Sequence, residues 1–273
     1  MSDAKLGKKR GTFVDLAKQI KEGAVERFLQ QRFVFHHVPK CGGTSVGRAF
    51  RKRYFLSQAT VDPESSYRAY EAFTLRDDQE GLLIDVLDLR EQILLYLMFS
   101  DIRCISAHVR FSEIAYARFN GRYKYVTILR EPIQRFISHY NWSYGRSGAH
   151  AEITEEFDTF LESVRAKRMG AIYCEYFSGL PKEADVWNED ASARAISNLQ
   201  KFDVVGRLDQ IDAFTETIEK ELGFKIRIGH ENKDPKRGSG IRVSDLSRSQ
   251  LEKVHALCAP DTAVWDAAPW TKT

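Results

Sequence analysis

The stretch Phe33-Val34-Phe35-His36-His37-Val38-Pro39-Lys40-Cys41-Gly42-Gly43-Thr44-Ser45 constrains this chain more than any other. Its apolar run, rich in Val and Phe, reads as a buried strand. Pro39 ends that strand, the glycine pair opens a tight turn, and Thr44 or Ser45 can cap a following helix. Backbone N–H groups that glycines leave accessible, together with the positive end of a helix, form a cradle for an anion, and Lys40 adds a full charge. The nucleotide P-loop, G-x-x-x-x-G-K-[ST], is not matched. Here the lysine precedes the glycines, and no first glycine stands upstream.

The chain of 273 residues is long enough to bury a full core. Hydrophobic residues make up 43% and charged residues 29%, which excludes a disordered or fibrous chain. The 41 basic and 38 acidic side chains leave a net charge of only +3, so no nucleic-acid partner is expected. Cys41, Cys104, Cys174 and Cys258 are widely spaced and form no C-x-x-C pair, which fits a reducing compartment better than a zinc site or a disulfide framework. Residues 1–30 read as a basic segment (Lys5, Lys8, Lys9, Arg10) leading into an amphipathic helix over 12–30, and residues 31–273 as one α/β domain. No signal peptide is visible. The most apolar segment, Leu82 to Phe99, carries Asp85, Asp88, Arg90 and Glu91, so a buried or amphipathic helix is expected in place of a membrane span. These features point to a cytoplasmic protein or an excised catalytic domain.

Along the chain, Val46, Ala49, Phe50 and Tyr54 have helical spacing, with Arg48, Arg51, Lys52 and Arg53 on the other face. That basic face is either solvated or one wall of a cleft. Residues 57–81 are polar and read as loop with one short helix. A short strand over 102–108 delivers His108 to its end, and a second over 123–129 delivers Arg130, with Pro132 at the start of the next helix. Helical spacing returns at 157–164, 191–199, 209–222 and 244–258, with another strand near 202–206 and a basic loop over 232–240. Strands alternating with helices predict a mainly parallel sheet covered on both faces.

In open α/β sheets, ligands collect at the carboxyl ends of strands, where this chain places Lys40 with its glycine turn, His108 and Arg130. An arginine fork with a nearby hydroxyl, Ser138, suits a second, dianionic phosphate. Pro39 through Ser45 resembles the 5′-phosphosulfate loop of sulfotransferases that use 3′-phosphoadenosine 5′-phosphosulfate (PAPS). Arg130-Glu131-Pro132 through Ser138 resembles their 3′-phosphate motif. Ser106 to Phe111, Val205 to Gln210 and the Asn232 to Arg237 loop are similar to segments of the carbohydrate group that includes the heparan 2-O-sulfotransferases.

The resemblance implies the sulfotransferase fold, a P-loop-like central parallel sheet flanked by helices. It implies PAPS as donor, 3′,5′-adenosine bisphosphate as product, a hydroxyl acceptor that is a carbohydrate, and no metal. Lys40, Cys41, Gly42, Gly43, Thr44 and Ser45 would then hold the 5′ end, Arg130 and Ser138 the 3′-phosphate, and Lys236 and Arg237 would close over the nucleotide. His108 would be the general base, and Lys40 would also offset charge on the leaving oxygen. Taken without the resemblance, the residues leave open an ATP-using P-loop kinase or a nucleotide-binding protein without turnover. Arg48, Arg51, Arg53, Arg110, Arg165, Lys167 and Arg168 would suit an anionic glycan, and Tyr140, Trp142 and Tyr144 would suit either stacking on sugars or a place in the core.

Overall fold

Every residue of the first strand, β1 (Phe33–His36), is fully buried, and its position explains why its sequence is continuously apolar. A computed structural model describes residues 29–146, 150–229 and 240–271, together with Ile20 and Gly23. In it β1 is the middle strand of a five-stranded parallel sheet of order β2-β3-β1-β4-β5. The others are β2 (Gln58–Val61), β3 (Cys104–Ala107), β4 (Lys124–Leu129) and β5 (Val204–Arg207). A parallel strand covered on both faces has no solvent side and therefore no polar alternation. The protein is α/β, with helices packed on both faces of the sheet.

Phe33 and Phe35 project to one face, where they meet Val46 and Phe50 of α1 (Gly43–Arg53). Phe214 and Ile218 of the later helix Ile211–Leu222 join the same cluster. Val34 projects to the other face and joins Ile105, Leu94, Met98, Tyr173 and Val264. That layer is built from α3 (Gln79–Phe99), α4 (Glu113–Phe119), α8 (Ile172–Phe177), α9 (Glu189–Leu199) and α11 (Arg248–Ala267). A third cluster joins α5 (Pro132–Ser143), α6 (Phe157–Leu161) and α7 (Val164–Gly170) to α11 through Phe136, Phe160, Met169 and Val254. The helix Ile211–Leu222 is α10; it stops at Gly223, which takes a left-handed φ of 74°.

Several local expectations are revised. Residues 57–81 contain the edge strand β2 and a full helix, α2 (Pro63–Thr74), started by Asp62, whose side chain accepts from the Ser65 N–H at 2.8 Å. Helical structure continues beyond 164 as α7 and α8. The last helix does not stop at 258 but runs to Ala267 with Pro260 inside it. No helix among the described residues is long and apolar enough to cross a membrane. The amphipathic helix expected over 12–30 lies outside the described residues except for Ile20 and Gly23, both helical.

Candidate active site

The sheet register brings the predicted residues to one edge. His36 pairs with Ala107 of β3 on one side and Thr127 of β4 on the other. His37 and His108 each follow by one residue on neighbouring parallel strands, so they project to the same side. Their rings meet with centroids 3.9 Å apart. His36 points the other way, into the core against Tyr125 and Phe202.

Beyond His37 the chain turns through two left-handed residues, Lys40 at φ 65° and Gly42 at φ 74°. For a residue with a side chain this conformation costs about 1–2 kcal/mol. Gly42 is the N-cap of α1, one turn element earlier than Thr44 or Ser45, both of which lie in the helix's first turn. Gly43 has no room for a side chain, since a Cβ there would come 2.0 Å from the His37 ring. The helix start is thus bare, with no side-chain cap and no acidic residue in its first turn. A phosphate approaching it meets backbone N–H groups and the helix's positive end.

The end of β4 is built differently. Pro132 starts α5, and the Glu131 carboxylate already accepts the N–H groups of Ile133 at 3.0 Å and Gln134 at 2.8 Å. This helix start is therefore occupied by the chain's own anion, and Arg130 and Ser138 line the cleft beside it. Tyr173 of α8 ties the two ends together. Its hydroxyl accepts the Arg130 N–H at 3.0 Å, donates to the Arg130 carbonyl, and lies 3.6 Å from the Cys41 sulfur. No sequence motif marked this tyrosine.

Lys40, Gly42, Gly43, Thr44, His108, Arg130 and Ser138 all line one cleft of about 1570 Å³. Cys41 and Ser45 are not among its lining residues, and the Cys41 side chain is buried beneath the turn. Lys236 and Arg237 lie outside the described residues. His37, His139, His150, Arg51, Arg90 and Trp142 also line the cleft. The Trp142 ring carries the Lys40 ammonium at 5.2 Å and the Arg146 guanidinium at 4.5 Å. Tyr140 belongs to the core, packed on Phe157 and Phe160, and Tyr144 sits at the rim, bonded to Glu156. Of the basic face of α1, only Arg51 reaches the cleft.

Burial, with the charges of Arg51 and Lys40, pushes His37 down to about 3. Burial, with His37 and Arg90 beside it, holds His108 well below the ordinary imidazole value. Both rings are therefore neutral at pH 7, and a neutral imidazole is the form that can take up a proton. The His108 Nδ1 is buried without a hydrogen-bond partner. Burial raises the Cys41 thiol, so the reactive thiolate that a helix N-terminus can produce does not form here. Burial likewise pushes Cys104, Cys174 and Cys258 up to about 12, and all four cysteines are free. Among the described residues no cluster of His, Cys, Asp and Glu is arranged to hold a metal ion.

The parallel sheet thus brings an uncapped helix start with Lys40, His108 and Arg130 to the ends of the neighbouring strands β1, β3 and β4, an arrangement able to receive an anionic ligand. The sequence profile described as the Sulfotransferase family matches residues 28–262. The chain belongs to the sulfotransferase family and is a sulfotransferase. Its structure is similar to the crystal structure of a sulfotransferase from Alicyclobacillus acidocaldarius, with a TM-score of 0.44 and 14% sequence identity. That likeness covers 88% of this chain and 97% of the other. No curated protein matches the chain.

Proposed function

We propose that this sulfotransferase moves the sulfuryl group of PAPS onto a hydroxyl of a carbohydrate. The observation that carries the reading is that the glycine turn with Lys40, His108, and Arg130 with Ser138 line a single cleft at the ends of the adjacent strands β1, β3 and β4. Pockets for one small ligand measure about 300–1,000 Å³, so a cleft of about 1570 Å³ leaves space for a donor and an acceptor side by side. The cradle at Gly42 and Gly43 suits the donor's 5′-phosphate. Arg130 and Ser138 suit a 3′-phosphate, the group that distinguishes PAPS from ATP.

In this reading His108 removes the acceptor's hydroxyl proton as the acceptor oxygen forms its bond to sulfur. The bond from sulfur to the bridging phosphate oxygen breaks, and that oxygen keeps the electron pair. Lys40 offsets the charge it gains, and 3′,5′-adenosine bisphosphate leaves. Lys236 and Arg237 are proposed to close over the nucleotide, and residues 31–273 to act as one domain.

Calorimetric titration with 3′,5′-adenosine bisphosphate in the presence of chelator tests the donor assignment, and labelled PAPS with a saccharide acceptor tests turnover. Binding without magnesium and a loss of transfer in both Lys40→Ala and His108→Ala are expected. Transfer at the wild-type rate in either variant would sink the assigned mechanism.

A further inference from the structure

On the donor side, the start of α1 carries no acidic residue and Lys40 stands over Trp142. Across His108, the wall made by α2, α3, α7 and α8 carries Arg90, Arg165 and Arg168, whose guanidiniums are held within the chain. Arg168 donates to Glu175 Oε1 through Nη2 at 2.6 Å and Nε at 2.9 Å, and to the Leu83 carbonyl at 3.1 Å. Arg165 pairs with Glu80 at 2.7 Å and donates to the Glu152 carbonyl. Arg90 donates to Ser66 Oγ at 2.8 Å and to the Pro63 carbonyl at 3.0 Å.

Of these pairs, Arg168–Glu175 is not a loose surface contact. Glu175 is only 8% exposed, so an anionic ligand that drew Arg168 away would strand a buried carboxylate. Breaking such a pair costs from about a hundredfold to several thousandfold in affinity. Between the paired charges the wall is apolar, with Leu83, Leu87, Met169 and Ile172 facing the cleft. Paired charges still offer hydrogen bonds to hydroxyl groups, and an apolar strip suits the carbon face of a ring.

We infer that the acceptor is an uncharged hydroxyl compound with one apolar face, and that the Arg168–Glu175 and Arg165–Glu80 pairs select against carboxylated or sulfated acceptors. This rests on the donor assignment above and replaces the anionic glycan that the basic residues suggest when the sequence is read alone. Arg110, another of those residues, is also committed, to Asp88 at 2.5 Å.

The test uses p-nitrophenyl β-glucoside and p-nitrophenyl β-glucuronide, which carry a primary hydroxyl and a carboxylate respectively at C6, with saturating PAPS and transfer to the ring hydroxyls compared. The glucoside should be favoured in kcat/KM by at least about tenfold, the worth of one charge-assisted contact. Glu80→Gln, at the partly exposed end of its pair, releases Arg165 and should move the ratio about tenfold toward the glucuronide. A wild-type preference for the glucuronide, a ratio unmoved in Glu80→Gln, or no transfer to either glycoside while the bisphosphate still binds overturns the inference alone. Failure of the bisphosphate to bind overturns the donor assignment beneath it.

Discussion

Beneath the glycine turn the Tyr173 hydroxyl and the Cys41 thiol meet at 3.6 Å, and the same hydroxyl exchanges hydrogen bonds with both backbone groups of Arg130. One side chain therefore fixes the loop proposed for the 5′-phosphate relative to the residue proposed for the 3′-phosphate. Tyr173→Phe removes the hydroxyl and leaves the ring's packing. Each buried group left unsatisfied costs about 1–3 kcal/mol. The bisphosphate should bind at least about tenfold more weakly, while adenosine 5′-phosphate and adenosine 3′-phosphate, which each engage one end, lose less. An equal loss for all three ligands, measured calorimetrically, would show that the hydroxyl does not couple the two ends.

Gly43 and His37 are fitted to each other, because a Cβ at 43 would stand 2.0 Å from the imidazole. Gly43→Ala must push that ring from its contact with His108 or open the turn. Overpacking of this kind costs about 1–3 kcal/mol, and transfer should fall by more than stability alone explains. Adding His37→Ala to Gly43→Ala removes the clash and should restore the melting temperature without restoring full transfer. A single Gly43→Ala variant with wild-type melting and transfer would show that the fit is immaterial.

The turn was legible in sequence because Pro39 and paired glycines interrupt an apolar run, a local signal that needs no partner. Strand β2 was not, since Gln58–Val61 is a short edge strand, half polar and largely exposed, whose pairing depends on Ser57 and Val61 meeting the β3 segment. Helix α2 carried a readable start in Asp62-Pro63 that the surrounding polarity obscured. Helix α8 is buried at every position from Ile172 to Phe177, so no amphipathic period marks it. Tyr173 lies within that run, 43 residues from Arg130, and only the folded chain brings them together. The pairing of Arg165 with Glu80 and of Arg168 with Glu175 was equally invisible, because composition counts charges and cannot show their partners.

The buried histidines make stability sensitive to acid. Burial holds His36 at about 4 and His37 at about 3, below the value near 6.5 that each regains on unfolding. The unfolded chain therefore takes up protons first as pH falls. Their contribution is fully present above about pH 6.5 and shrinks toward pH 4 by at most about 1.4 kcal/mol per pH unit for each group. His36→Leu, inside the core between Tyr125 and Phe202, should flatten the acid limb of urea stability by up to one proton. Identical slopes for wild type and variant between pH 6.5 and 4.5 would contradict the assignment. Transfer by the free enzyme should likewise persist below pH 6.5, since His108 is held neutral well below its ordinary value.

A second fully buried group supports the site from behind. Arg135 has no exposed surface and donates through Nη2 to the Met169 carbonyl at 2.5 Å and to Asp261 at 3.3 Å. Asp261 in turn accepts the N–H groups of Tyr173 at 2.7 Å and Cys174 at 3.3 Å, which joins α5, α8 and α11. Burial pushes the Asp261 carboxyl up to about 7 against the pull of Arg135, so ionising this pair is costly. Asp261→Ala should then lose about 3–5 kcal/mol, because it leaves a buried guanidinium uncompensated. Replacing both partners, as Arg135→Met with Asp261→Leu, removes the desolvation cost along with the attraction and should recover most of that loss in urea unfolding. Equal destabilisation in the single and double variants would instead mean that the hydrogen bonds to Met169, Tyr173 and Cys174 outweigh the charges, and that the pair holds the α5–α8 junction by geometry.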